Sequence, residues 1–544
     1  MSKTDTAVHD YVIVGSGAGG SVLAERLSRD PDVSVLVLEA GGGDRHPMHL
    51  VPKGVRFAMS NPRYTKTYHP EPFASHGRPE LWKRGRIIGG STTLNGMVWN
   101  RGWSPQYDAF EQAGNPGWGW ERFLEAFKAI ESHQLGASDV RGGSGPVAIS
   151  VAAPPEDVSE TFIRTVEQHG VRRVDDLNSC GDDRVAYVTS NIRRGTRVSA
   201  ARAFLRRARR RRNVTVIDRC EAQRILFDGT TATGVEATRK GRTVTFTARR
   251  EVLVCGGGLE SPMLLERSGV GDPAVLAAAG IPLVAASPKV GENLLDHRSI
   301  LFRPRLKGRV GFNAQVDSPL KQAWAGFKYL FTRRGIISFG GYNVMVIFTA
   351  DPASPYPDVQ GVFTPLSVSD VTSGSPVVDK TSGAMFLTYA LFPTSTGSIH
   401  VTGPTVDDTP RIVAGVLDTE ADRAVAVRMV RRSLEILATP PFADLIEEVV
   451  EPAQPLDTDQ QIVDYLVDHG GHGYHTLGTC AMGPDADDVV DERLRVRGTS
   501  GLRVVDASVF PSMPSGNNNG PTQALAWIAA DLVLEDARLL QQAR

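Results

Sequence analysis

The sequence predicts an α/β fold, a parallel-sheet domain with a second, strand-rich domain inserted through it. Three observations lead there. A βαβ unit with a glycine-rich first turn begins at residue 10. Short β-rich runs, Asn213 to Ile217 and Glu251 to Cys255, continue that sheet some 200 residues later, the second stopping at Gly256-Gly257-Gly258. From Leu301 to about Pro455 the sequence turns irregular and strand-rich. A chain of 544 residues amounts to three or four domain equivalents at roughly 150 residues each. No internal repeat is present.

The opening unit is the most informative. Tyr11-Val-Ile-Val14 is a short apolar strand, Gly15-Ser-Gly17-Ala18-Gly19-Gly20 is the turn, and a helical pattern runs through Leu23 and Leu27. A second apolar strand, Val33 to Leu38, ends at Glu39. Gly15 permits the tight turn, Gly17 lets backbone approach a pyrophosphate, and Gly20 lets helix and strand pack closely. Phosphate belongs at the helix N-terminus, where free N–H groups and the dipole favour negative charge. Glu39, 19 residues past Gly20, is placed to accept hydrogen bonds from a ribose. A glycine-rich turn alone is common in proteins that bind nothing. Strand, helix, strand and terminal acid in register are what select the dinucleotide reading.

Further along, Phe123, Phe127 and Ile130 share one helical face, as do Val427, Val430, Leu434 and Leu437. Gly142 to Pro146 breaks the chain. Six arginines fall between Arg206 and Arg212. Such a run suits RNA or anionic lipid, but it also suits a solvated helix end, where the dipole favours cations. Lys plus Arg is 60 and Asp plus Glu is 61, a balance that argues against a dedicated nucleic-acid binder and favours the solvated end.

Composition narrows the class. Hydrophobic residues make up 41% and charged residues 22%, which suits a soluble protein with a sizeable core. Four cysteines (Cys180, Cys220, Cys255, Cys480) form no C-x-x-C pair, so neither a disulfide scaffold nor structural zinc is expected. Met1 to Thr6 carries no apolar leader. The uncharged stretches Thr381 to Val406 and Ala507 to Ala530 are broken by proline and polar residues, so no transmembrane segment is expected. The expected location is cytoplasmic.

Other motifs carry chemistry. Gly85-Arg86-Ile-Ile-Gly89-Gly90-Ser91 leads into Asn95-Gly96-Met97, Trp99, Gly102 and Asp108. A second stretch runs from Gly257 through Ser261-Pro262 to Gly271, and Val290-Gly-Glu-Asn293-Leu-Leu-Asp296-His297 follows. Near the C-terminus stand His475, Cys480, Asp506-Ala507-Ser508 and Pro514-Ser-Gly516-Asn517-Asn518-Asn519-Gly-Pro521-Thr522. His475 suits a general base, because imidazole ordinarily titrates near neutral pH, and a neighbouring amide can bind the same oxygen without competing for its proton. His469, His472 and His475 recur every three residues, but the glycines between them and the lack of a further ligand set argue against metal. Cys480 reads as a small buried thiol rather than a nucleophile. No G-x-S-x-G elbow is present, which speaks against an esterase.

With these motifs in order from residue 10 to about 535, the sequence resembles the glucose–methanol–choline (GMC) oxidoreductase family. Gly85 to Asp108 is similar to its first signature and Gly257 to Gly271 to its second. Gly258 departs from the usual Ala or Ser, and Trp527 stands where relatives often carry Glu. The resemblance implies a Rossmann-like FAD-binding domain, mainly residues 9–300. It implies an inserted α+β substrate-binding domain, mainly 301–464, and a C-terminal return, 465–544, that carries the catalytic pair. It also implies FAD. Gly15, Gly17, Ala18 and Gly20 would hold the pyrophosphate and Glu39 the adenosine ribose, with Ala40 and Arg86 beside them and the Ala222 backbone at the adenine. Gly90, Ser91, Asn95, Gly96 and Met97 would run beside the pyrophosphate and isoalloxazine. Asp506 and Ala507 would close on the phosphates, and Asn519 and Thr522 on the flavin end. Some relatives attach flavin through a histidine just before the asparagine that matches Asn95. Leu94 stands there in this chain, so the FAD is expected to be non-covalent.

The implied activity is oxidation of a small alcohol to an aldehyde or ketone, with His475 as base and Asn517 as its partner. Hydride passes to flavin N5, and O2 or a quinone-like acceptor takes the electrons. A cyanohydrin lyase or a fatty-acid photodecarboxylase on the same scaffold is the alternative, and a nicotinamide-dependent dehydrogenase rests on the glycine motif alone. The sequence names neither the alcohol nor the oligomeric state.

Overall fold

Val8–Val14 lies at the centre of a seven-stranded sheet in the computed structural model, which describes residues 8–77, 80–151, 155–179, 181–351, 353–369 and 377–542. Met1 to Thr6 and Cys180 fall outside the described residues. Across the sheet the order is Val214–Asp218, Val35–Glu39, Val8–Val14, Arg242–Val254, Thr231–Arg239 and Cys220–Asp228. The first four strands are parallel, with Val12 opposite both Leu36 and Val252. Helices cover both faces, so Tyr11, Val12 and Ile13 are all buried, which is why the strand reads as a continuous apolar run. Arg242–Val254 takes part in two arrangements. Its first half pairs antiparallel with Thr231–Arg239, and its end pairs parallel with Leu502–Val504.

Ala18–Leu27 follows the glycine turn and packs against the last helix, Asn519–Gln542. Trp527 of that helix lies under the guanidinium groups of Arg26 and Arg29, at 4.0 and 5.3 Å from its ring centre. Trp527, at the position of that departure, thus makes a cation–π contact. Trp120–Ile130 buries Phe123, Phe127 and Ile130 as their spacing predicts. In the arginine run, the helical turn Arg206–Ala208 leads into the strand at Val214. Arg206, Arg207, Arg209, Arg210 and Arg212 are exposed, whereas Arg211 reaches back to Glu25 at 3.1 Å.

The second sheet has eight strands, mostly antiparallel, in the order Ile446–Glu451, Arg298–Leu306, Met385–Ala390, Val359–Thr364, Val344–Phe348, Arg184–Tyr187 and Arg172–Arg173. Gly471–His472 joins Arg298–Leu306. Asp157–Glu167 and Glu420–Leu437 cover it, with Phe162 stacked on Phe363 at 4.1 Å and Val427, Val430 and Leu437 buried. This sheet therefore takes strands from before residue 301 and after 464. Among the described residues, no helix is long and apolar enough to cross a membrane.

Candidate active site and cofactor cradle

The glycines of the first turn serve different purposes. Gly15 has φ +101°, and a Cβ there would lie 2.3 Å from the carbonyl oxygen of Cys255. A Cβ on Gly20 would lie 2.0 Å from that of Gly15. Gly17 differs, because a Cβ on it would meet no protein atom within 4 Å. Nothing in the fold forbids a side chain at Gly17, so the space it leaves suits a ligand approaching the N-terminus of Ala18–Leu27. Gly90 faces the same space, its Cβ position 3.1 Å from Gly17 Cα. The first turn and the first signature are also tied together, since the Gly89 amide donates to Ser16 Oγ at 3.0 Å.

These differences make a discriminating pair of substitutions. Gly15→Ala should destabilise the apoprotein, because it adds both strain and a clash with backbone. Gly17→Ala should leave apoprotein unfolding unchanged and weaken FAD binding, read by equilibrium dialysis of FAD. Equal FAD affinity in wild type and Gly17→Ala would refute the cradle.

Glu39 is buried at the end of its strand and accepts from the Ser16 amide at 3.1 Å, the Ser16 hydroxyl, and the Gly41 amide at 2.8 Å. Burial pushes its carboxyl above the usual range, against the hydrogen bonds from Ser16 and Gly41. Ala40 is half-buried beside it. Arg86 pairs with Glu221 at 2.8 Å, next to Ala222. A Cβ on Gly41 would lie 2.0 Å from Arg86 backbone, so Glu39, Ala40, Arg86 and Ala222 gather at one end of the cradle.

At the other end, Asn95 Oδ1 accepts from the Met97 amide at 3.1 Å and from Arg197 at 2.9 Å. Met97 is buried with φ 65°, a left-handed backbone uncommon for its type. Ser91 and Gly96 are exposed. Leu94 is buried against Ala58 and Ile87. Asp506 accepts from Ser261 Oγ at 2.6 Å and from the Gly257 and Ser508 amides at 2.8 Å each, clamping the second signature to the C-terminal return beside Ala507. Thr522 is buried and its hydroxyl donates to the Asn518 carbonyl at 2.7 Å. Asn519 Nδ2 is buried with no hydrogen-bond partner among the described residues. An orphaned donor there, with the open space at Gly17 and Gly90, fits a bound dinucleotide.

His475 and Asn517 meet, with Asn517 Nδ2 at 2.9 Å from His475 Nε2. Two residues whose roles the sequence left unassigned complete the arrangement. His297 Nδ1 is 2.9 Å from His475 Nδ1, and His297 Nε2 is 3.3 Å from the Leu391 carbonyl oxygen. A carbonyl only accepts, so His297 carries its proton on Nε2 and its Nδ1 accepts. His475 then donates from Nδ1, which leaves the lone pair of Nε2 toward Asn517. Asn517 is oriented in turn, its Oδ1 accepting from Gln360 Nε2 at 3.1 Å. Gln360 Oε1 accepts from Asn100 Nδ2 at 2.9 Å.

Asp296 fixes the loop that carries His475. It accepts from the His475 amide at 2.9 Å and from Thr476 Oγ1 at 3.2 Å. Burial pushes the Asp296 carboxyl up, but the His472 hydrogen bond and Arg84 outweigh that and hold it well below the carboxylate range. Gly258 explains its own departure, because a Cβ there would lie 2.4 Å from the carbonyl oxygen of Thr476, next to His475.

Electrostatics corrects one expectation. Burial first, and the facing His297 second, take the His475 imidazole down to about 3, against Asp296. Burial takes His297 down to about 4. His475 is therefore held neutral throughout the physiological range instead of titrating near neutrality. The triplet His469, His472 and His475 does not converge, since His469 is exposed against Tyr465. Atoms of Asp296, His297 and His475 do lie within 4.8 Å of one another, each with the protein partners described above. Cys255 and Cys480 are buried and their thiols pushed up by burial, which suits packing.

Comparison with known proteins identifies the family. The GMC oxidoreductase family models match residues 9–299 and 393–526. The oxygen-dependent choline dehydrogenase of Chromohalobacter salexigens is 34% identical over 531 residues, covering 96% of this chain and 94% of the relative. Human mitochondrial choline dehydrogenase is 33% identical, covering 96% and 89%. Among solved structures, pyridoxine 4-oxidase from Mesorbium loti superposes with TM-score 0.86 at 31% identity, covering 96% and 98%. Formate oxidase shares the fold with TM-score 0.89, at 24% identity and coverage of 98% and 100%. Family matches at both ends of the chain, and relatives a third identical along nearly all of it, place this protein in the GMC oxidoreductase family, with FAD as its cofactor.

Proposed function

We propose that this protein oxidises a small alcohol to an aldehyde or ketone, with His475 Nε2 taking the hydroxyl proton and Asn517 Nδ2 donating to the same oxygen. The observation that supports this most is the chain from Leu391 through His297 to His475, which leaves the Nε2 lone pair facing the Asn517 amide. A substrate hydroxyl entering between them would donate to Nε2 and accept from Nδ2. Burial keeps the imidazole neutral and thus competent as a base. FAD, when bound, supplies the hydride acceptor, and O2 or a quinone-like compound takes the electrons onward. Gly15, Gly17, Ala18, Gly20 and Gly90 would hold its pyrophosphate by backbone, and Glu39, Ala40, Arg86 and Ala222 its adenosine. Ser91, Asn95, Gly96, Met97, Ala507, Asn519 and Thr522 would line the remainder. Asp506 would act by holding Gly257 and Ser508 in place, since its carboxylate is already engaged there.

An anaerobic panel of alcohols, including choline and pyridoxine, tests the activity by bleaching of the flavin absorbance. A substrate that bleaches it in the dark supports oxidation. Turnover of a cyanohydrin with the flavin still oxidised, or turnover that requires light, would replace this reading. Non-covalent binding follows from Leu94, so acid precipitation should release FAD into the supernatant. Yellow colour remaining with the precipitated chain would contradict it.

A further inference from the structure

We infer that the helix Pro319–Thr332 and the arginine-lined cavity beside it dock this protein on the surface of an anionic lipid bilayer. The helix has 14 residues, and Tyr329 alone of them is buried. Its apolar side chains recur at i, i+4, i+7 and i+11, the spacing of a core-facing stripe, yet they point outward. Leu320 is 84% exposed, Trp324 64%, Phe327 52% and Phe331 74%. The three rings make one continuous surface, with Trp324 and Phe327 centres 5.6 Å apart and nearly parallel, and Phe327 and Phe331 4.5 Å apart. Large exposed apolar patches of this kind mark interaction sites.

What surrounds the stripe is cationic. Lys328, Arg333 and Arg334 are exposed, and among the described residues none of them has a carboxylate partner. The C-terminal end of the helix is fastened to the hairpin Ile192–Arg197, where Tyr329 Oη donates to the Gly195 carbonyl at 2.9 Å. That hairpin supplies Arg193 and Arg197 to a cavity of about 340 Å³, whose other walls include Arg202, Arg206, Arg207 and Arg210. Among the described residues, of these six arginines only Arg202 lies near a carboxylate, Asp44 at 3.6 Å. Arg197 is buried, and its Nη2 has no partner.

An apolar, aromatic helix face bordered by cations, most without a carboxylate partner among the described residues, matches a bilayer surface, where acyl chains take the face and headgroup phosphates take the guanidinium groups. A second copy of this chain fits poorly, because a two-fold contact through the stripe would bring Lys328, Arg333 and Arg334 of each copy together. RNA would satisfy the arginines and leave the aromatic face bare.

Flotation of the FAD-loaded protein tests this, using phosphatidylcholine vesicles with and without about 30% phosphatidylglycerol. Binding should require phosphatidylglycerol and weaken as salt rises. Trp324→Ser/Phe327→Ser/Phe331→Ser and Arg206→Glu/Arg207→Glu/Arg210→Glu should each lower the bound fraction by about tenfold, keeping the flavin spectrum. Absence of binding, or equal binding to neutral vesicles, would overturn the proposal. So would a dimer that the triple serine variant dissociates, which would make the stripe a contact between copies. A salt-dependent shift of RNA by protein that ignores vesicles would overturn it as well.

Discussion

His475→Ala should slow flavin reduction by roughly 10²–10⁴-fold, the scale of losing a positioned general base. Anaerobic stopped-flow isolates that half-reaction from the choice of acceptor. FAD should be retained, because Gly17, Gly90 and Glu39 lie elsewhere in the chain. Asn517→Ala should cost less, since it removes one hydrogen bond and leaves the base. The two losses should be non-additive, because both side chains act on one oxygen. With the His475 imidazole down to about 3, reduction by the wild type should be level from about pH 5 upward, without a limb near neutrality. A wild-type rate in the alanine variant would remove His475 from the mechanism. The same burial makes a stability statement. Below 6.5 the unfolded chain binds protons on His475 and His297 that the folded chain refuses. Their contribution is therefore intact above that pH and lost as pH falls toward about 4 and then about 3.

Glu131→Ala should be the most destabilising single substitution in the FAD-binding part, by about 3–5 kcal/mol. Glu131 and Arg101 form an ion pair with side chains 0% and 1% exposed. Arg101 Nε donates to Glu131 Oε1 at 2.8 Å, and Trp99 Nε1 donates to the same oxygen at 2.7 Å. Removing the carboxylate strands a buried guanidinium and an indole N–H together, whereas Glu131→Gln keeps an acceptor for the indole and should lose less. Urea unfolding of the apoprotein measures both. A loss under about 1 kcal/mol for the alanine variant would show that water or a rearranged partner takes the place of Glu131.

The βαβ unit and the cradle were legible because their signals are local. Gly15 to Gly20 encode a turn, and Val33 to Glu39 a strand, within thirty residues of one another. His475 and Asn517 were legible through the motifs around them. Their supports were not. His297 reaches His475 across 178 positions, and Gln360 reaches Asn517 across 157. Only the dipeptide Asp296-His297 marked one of these in the sequence, and its role was left unassigned. The second sheet was blurred for a similar reason, as Arg184–Tyr187 pairs with Val344–Phe348 over a separation no periodicity encodes. The helix Pro319–Thr332 lies in the stretch whose sequence reads as irregular and strand-rich, and apolar spacing does not in any case say whether a stripe faces a core or the outside.

The pairing of Leu502–Val504 with the end of Arg242–Val254 has a consequence for how the protein is made. A chain still on the ribosome can build its first helix and the strands around it, but the neighbour of Val252–Val254 arrives only after the entire insert has been synthesised. The last helix, which packs against Ala18–Leu27 and brings Asn519 and Thr522, arrives later still. The turn and strands from Gly15 to Glu39 can thus form during translation, whereas the C-terminal return cannot. Contacts of such sequence separation form late and slowly. The nascent chain must therefore keep its unfinished sheet edge from other strands until its own last segment emerges.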